Sequence, residues 1–317
     1  MPFFMTDDDV NIYYRVKGEG TPIIFIHGWL SNHKFFFRQE QSLSAKLKIV
    51  TFDLRDHGKS GRGKNDLTLH RFALDVKQLM EHLDLRDAVI FGWSMGASVF
   101  FEYVKSFGTS RLSKACIIDM SPKLINEEDW DMGLYHGTYT HEDNAKDLSM
   151  IRENWLDFVS IFMKRALPYF GDPTLNPMLA EKNKDLPRLV AIAYISWLEL
   201  VGTCMRKAFP YLESAIIKPV MEDLSTDSPQ VLYETWTAMT AADYRTVLPA
   251  IDVPTLIVHG KKSTLYSKKT AQYLHSRIPC SQLVQFESCT HFLLAENSAR
   301  LNKAVETFAL ETGALQY

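Results

Sequence analysis

Gly92-Trp93-Ser94-Met95-Gly96 follows the apolar run Ala88-Val89-Ile90-Phe91 and leads into a helical pattern over residues 97–107. A strand, a sharp turn and a helix in that order put a serine at the turn, with glycine two residues away on each side. The glycines have a steric reason. The serine backbone must take a strained conformation, and side chains at the flanking positions would collide with the strand and the helix. The strain lifts the hydroxyl clear of the sheet, and the helix N-terminus behind it favours negative charge. Alone, the pentapeptide is a modest signal; its surroundings decide the reading.

Four further apolar runs end in a comparable way. Ile23-Ile24-Phe25-Ile26 runs into His27-Gly28-Trp29, and Ile49-Val50-Thr51-Phe52 into Asp53-Leu54-Arg55-Asp56-His57-Gly58-Lys59-Ser60. Residues 253–258 run into His259-Gly260, and residues 283–286 into Glu287-Ser288-Cys289-Thr290-His291-Phe292. None alternates, as expected of strands buried on both faces of a parallel sheet. Each ends in polar or glycine-rich residues, where open α/β sheets bind ligands. Between them, residues 35–46 and 68–84 read as helices, the second capped by Asp66 or Thr68. Residues 112–119 read as another strand, and residues 10–16, which alternate loosely, as an antiparallel edge strand.

In this set and order the motifs resemble the α/β-hydrolase superfamily over roughly residues 8–122 and 240–312. The resemblance implies an α/β fold with a mostly parallel eight-stranded sheet flanked by helices and an inserted helical cap. The expected division is a core of residues 1–122 and 241–317 with a cap, or lid, of residues 123–240. That interval has no strand-like run followed by a motif. It is rich in aromatic residues and methionine and is broken at Pro168, Pro173, Pro177 and Pro210. Its Trp130, Trp155, Trp197, Trp236, Phe158, Phe162, Met163, Met205 and Met239 are expected mainly to form cap core, with the remainder lining an apolar pocket. Gly28, Trp93, His33, Trp155 and Trp197 are the candidate pocket residues. His33 also reads as a solvated loop histidine.

Ser94 is the candidate nucleophile. A free hydroxyl is a poor one and needs a base within hydrogen-bond reach. His291 is the candidate base: it follows a strand, precedes a helical pattern, and sits in Cys-Thr-His-Phe, which resembles the superfamily's Gly-Thr-His-Phe. Many relatives carry the orienting acid in the loop after the seventh strand. Here Ser263 holds that position, and no Asp or Glu occurs between Ile257 and Arg277. A hydroxyl could orient an imidazole but brings no charge to stabilise an imidazolium. Asp119, at the end of the 112–119 strand, is therefore the candidate triad acid; a structural Asp at that place is the other reading. Asp252 precedes its strand and falls on the wrong edge. By resemblance, the backbone N–H groups of Trp29 and Met95 form the oxyanion hole. His27 is expected to be a structural hydrogen-bonding residue and Glu296 to support a helix N-terminus. Asp56, where relatives carry Gly, is expected in a left-handed conformation.

Composition narrows the partners. The 317 residues carry a formal net charge of −3 with both signs dispersed. No basic stripe suggests nucleic acid, and no basic amphipathic or long apolar segment suggests a membrane. The N-terminus lacks the basic and apolar regions of a signal peptide. Four cysteines without framework spacing fit a cytoplasmic protein with reduced thiols. No metal-ligand spacing or dinucleotide fingerprint appears, so no cofactor is expected, and the partner is a small-molecule substrate. The leading expectation is a serine hydrolase of an ester, thioester or lactone. A cofactor-free dioxygenase using a His–Asp dyad and a slow-turnover ligand-binding protein remain the alternatives.

Overall fold

The structure, a computed structural model, describes residues 2–64, 67–166 and 228–311. Eight strands form one sheet: β1 (Phe3–Met5), β2 (Asn11–Lys17), β3 (Pro22–Ile26), β4 (Lys48–Phe52), β5 (Ala88–Trp93), β6 (Leu112–Ile118), β7 (Thr255–Gly260) and β8 (Ser281–Phe286). Their order across the sheet is β1-β2-β4-β3-β5-β6-β7-β8. The β1–β2 and β2–β4 pairs are antiparallel, and all pairs from β4 to β8 are parallel. The expected edge strand over residues 10–16 is thus β2, but it is not the edge. β1 lies outside it, and three residues are too few to show a period.

The missing alternation has a direct cause. All six residues of β5 are buried. Val89, Phe91 and Trp93 enter one core, and Ala88 and Ile90 the other. β6 does the same with Cys116 and Ile118 against Ala115 and Ile117. On the face of Ala88 lie the helices α2 (Leu69–His82), α3 (Met95–Phe107) and α6 (Lys268–Arg277); on the other lie α1 (Phe37–Leu43) and α7 (Ser298–Leu310). Burying one such aliphatic or aromatic side chain contributes about 1.5–3 kcal/mol.

Thr68 caps α2 by accepting the Arg71 N–H, while Asp66 lies outside the described residues. The helix expected over residues 35–46 divides into a 3-10 turn, His33–Phe36, and the shorter α1. Between β6 and β7 the described residues form helices and turns. The main ones are α4 (His141–Ala166), kinked at Asn154, and α5 (Pro229–Thr240). They meet through Phe158 and Trp236, whose ring centroids are 5.2 Å apart. A bridge between Lys123 and Asp243 joins the two ends of this interval. Trp197, Met205 and the proline breaks lie outside the described residues.

Candidate active site

Ser94 sits between β5 and α3 with φ 53° and ψ −125°, a strained backbone costing about 1–3 kcal/mol. A Cβ on Gly92 would come 2.6 Å from the Gly96 carbonyl oxygen, and one on Gly96 would come 2.1 Å from that of Ile26. Only glycine fits at either place. The Ser94 N–H donates to the Ile118 carbonyl at 3.0 Å. The elbow is thereby tied to the strand end that carries Asp119.

Asp119 is the next residue after β6. Its backbone is left-handed, φ 45°, and its N–H donates to the Val258 carbonyl at 2.9 Å. The carboxylate is buried and receives three hydrogen bonds. His291 Nδ1 donates to Oδ2 at 2.8 Å, Ser263 Oγ donates to Oδ2 at 2.7 Å, and His259 Nδ1 donates to Oδ1 at 2.6 Å. Burial alone would raise the Asp119 pKa. The hydrogen bonds and charges of His259 and His291 outweigh it and hold the carboxyl well below the usual range. Ser263, in the loop where relatives carry the acid, therefore holds the carboxylate instead of the imidazole.

The His291 ring lies 5.5 Å from Trp93 and 5.9 Å from Tyr266, centroid to centroid. With Nδ1 engaged by Asp119, Nε2 is the ring nitrogen left for proton exchange. Among the described residues the Ser94 hydroxyl and His291 share no hydrogen bond; nucleophile–base contacts often shorten only when substrate binds. Two further contacts fix the loop of His291. The Trp93 indole N–H donates to the His291 carbonyl at 3.1 Å. Thr290 donates to the Glu296 carboxylate through its N–H at 2.6 Å and its hydroxyl at 2.8 Å. Glu296, in the first turn of the short helix Leu293–Glu296, thus braces the His291 loop, and Asn297 caps α7 by accepting the Arg300 N–H.

The pocket candidates separate. Gly28 stands beside Ser94: a Cβ there would lie 3.1 Å from Ser94 Cβ. Trp29 carries the next backbone N–H. Its indole donates to Thr235 Oγ1 on α5 at 2.9 Å, and its ring meets Phe158, Phe162 and Trp236 at 5.8, 5.3 and 4.9 Å. Trp93 is buried in the core with Phe35 stacked on it at 4.6 Å, and its ring borders both Gly28 and His291. His33 is a correction. It is 4 % exposed, with Nδ1 2.6 Å from Asp53 Oδ1, so it is neither a solvated loop residue nor free to reach a ligand. Trp155 is half-buried against the cap-side core, and Trp197 lies outside the described residues.

His27 Nδ1 donates to the Gly28 carbonyl at 2.9 Å and Nε2 accepts the Leu54 N–H at 3.0 Å. Burial first, and the nearby His57 second, push its pKa down to about 3, so it is a neutral structural group. Asp56 has φ 61° and accepts the Gly63 N–H at 3.0 Å. The thiol of Cys289, two residues before His291, is pushed by burial up to about 11, which leaves it little thiolate.

Sequence reasoning missed His259 as a partner of Asp119. The β6–β7 register sets Ile118 beside Val258, which brings the next residues, Asp119 and His259, level with each other. That pairing is not visible in a single strand's sequence.

Comparison with known proteins agrees with this architecture. Residues 21–159 match the family model described as alpha/beta hydrolase fold. The chain is 24% identical over 315 residues to the AB hydrolase superfamily protein YisY of Bacillus subtilis, covering 97% of this chain and 98% of that one. An esterase from Exiguobacterium antarcticum superposes with a TM-score of 0.75 at 20% identity, covering 98% of this chain and 99% of the other. A bromoperoxidase from Bacillus anthracis does so with a TM-score of 0.76 at 22% identity, covering 96% and 97%. With the eight-stranded sheet, the serine elbow and the His–Asp pair on one sheet edge, these matches show that the chain has the α/β-hydrolase fold.

Proposed function

We propose that the protein is a serine hydrolase of carboxylic esters, thioesters or lactones. The observation that carries the reading is the 2.8 Å bond from His291 Nδ1 to buried Asp119, at the sheet edge where strained Ser94 opens α3. In this reading Ser94 Oγ attacks the substrate carbonyl while His291 Nε2 takes its proton. Asp119 stabilises the imidazolium that results. The Met95 and Trp29 N–H groups hold the tetrahedral oxyanion, helped by the α3 N-terminus. Collapse expels the alcohol or thiol, which takes the proton from His291. Water, deprotonated by the same imidazole, then attacks the acyl-enzyme and releases the acid.

The aromatic cluster of Trp29, Phe158, Phe162 and Trp236 on the cap side supports an apolar acyl or aryl group as substrate. The superposing esterase points the same way by its name. The described cysteines Cys116, Cys280 and Cys289 are free thiols, which fits the proposed cytoplasmic setting.

The test is intact-mass spectrometry after treatment with an organofluorophosphonate. One adduct on the wild type and none on Ser94→Ala is expected, with p-nitrophenyl ester hydrolysis lost in the same variant. Folded wild type that takes no adduct and consumes oxygen with a hydroxy-heterocycle would overturn the reading in favour of dyad oxygenation.

A further inference from the structure

His259 takes no part in the proposed proton transfers, yet it forms the shortest of the three hydrogen bonds to Asp119. Its Nδ1 lies 2.6 Å from Oδ1, against 2.8 Å for His291 Nδ1 to Oδ2. Both histidines are buried, each 3 % exposed, and so is the carboxylate. One buried anion therefore serves two imidazoles. A positive charge placed on either ring would be felt by the other across that shared anion.

The surroundings leave Asp119 as the only carboxylate that a described hydrogen bond places on His259. The loop after β7 brings Ser263, bonded to the same carboxylate, and Tyr266, whose hydroxyl pKa burial raises well above its ordinary value. The turn Leu134–Gly137 brings His136, whose Nε2 lies 2.6 Å from the Ser263 carbonyl. The loop after β8 brings His291, with Glu296 bonded to Thr290 beside it. The cations following the strand, Lys261 and Lys262, are exposed, and Lys261 pairs with Glu287 at 2.6 Å. From α6 comes Thr270, whose hydroxyl donates to the Met132 carbonyl.

We propose that His259 is a positioning residue that holds Asp119 for His291 and, by its own charge, sets how much of the carboxylate's support the base receives. This rests on the serine-hydrolase reading for its effect on rate, though not for its effect on titration. With His259 neutral, Asp119 supports the imidazolium of His291 fully. With His259 protonated, the anion is shared, His291 releases its proton more readily, and it is a weaker base. The arrangement makes the acid side of the activity profile a property of both rings.

Two variants separate the parts of the proposal. Asn places its amide N–H near the position of Nδ1 and is never charged, whereas Leu removes the donor. Fluorophosphonate labelling at pH 8 is expected to slow about 10- to 100-fold in His259→Leu, the scale of loss when a reacting group is misplaced by about an ångström. His259→Asn is expected to stay within about threefold of wild type, since it keeps the donor. Its acid-limb midpoint is expected to rise by about half a unit or more, because the whole anion then supports His291. The second readout needs no reaction: the NMR titration of the His291 Cε1–H, assigned by its loss in His291→Gln, should move up by the same amount. Should neither midpoint move in His259→Asn, the inference falls, whatever the Leu variant does. Should wild type resist labelling while the NMR midpoint still rises, the hydrolase reading falls and the shared carboxylate stands.

Discussion

Asp119 shows what one residue's surroundings decide. Its carboxylate is fully buried, and the hydrogen bonds that stabilise it come from β7, the loop after it and the loop after β8. Asp119→Asn keeps the shape and removes the charge, so labelling and ester hydrolysis should fall by about 10³–10⁴, the loss seen when a triad acid is neutralised. Adding Ser263→Asp to that variant puts a carboxylate back within reach and should restore at least tenfold of the loss. Equal rates for Asp119→Asn and wild type would show that the carboxylate is structural. Its candidacy was legible from an absence, the stretch between Ile257 and Arg277 without an acid. The role of Ser263 was only half legible. The sequence put a hydroxyl in the right loop, but whether it met the imidazole or the carboxylate depends on side-chain directions that no spacing encodes.

At the scale of elements, the loop after β3 and α5 share a hydrogen bond. Trp29 carries one of the two proposed oxyanion donors on its backbone, and its indole is held by Thr235 of α5. The Thr235 hydroxyl in turn donates to the Val231 carbonyl at 2.6 Å, so its lone pair is aimed at the indole. Thr235→Val keeps the shape and deletes the acceptor. We expect kcat to fall about tenfold with KM moved less, a fraction of the 10²–10³ lost with an oxyanion donor itself. Thr235→Ser should behave as wild type; a loss confined to KM would show that α5 acts on substrate binding alone. Some elements were readable nearly to the residue: α3 begins at Met95, two residues before the pattern over residues 97–107, and Thr68 is one of the two caps expected for α2. Others were not. Glu296 stands in the first turn of the short helix Leu293–Glu296, as its position suggested, but its bonds to Thr290 and the Asn297 cap of α7 were not readable.

Over the whole molecule, the sheet was legible because unalternating apolar runs leave few other folds open, and the two cores explain those runs. β1 was not, being three residues long, and neither was the meeting of α4 with α5, since neither helix carries a motif that orders it. The same burial that builds the cores also makes stability depend on pH. His27 and His57 are both buried, and burial lowers both pKa values, His27 to about 3. An unfolded histidine titrates near 6.5. Between these values the unfolded chain binds more protons than the folded one, so stability is fully present above about pH 6.5 and declines as the pH falls toward 3. Thermal unfolding followed from pH 7.5 to pH 4.5 should show a falling Tm, with a shallower slope in His27→Gln. A slope unchanged by that substitution would assign the decline to other groups.

The chain interval between β6 and β7 has a temporal consequence. Asp119 lies 140 residues before His259 and 172 before His291. At about 5–20 residues per second of synthesis, the acid emerges on the order of ten seconds ahead of its partners. Through that interval the Asp119 carboxylate has neither imidazole, and the edge of β6 has no β7 to pair with. The arrival of β7 therefore covers the edge of β6 and brings His259 to Asp119 in a single event.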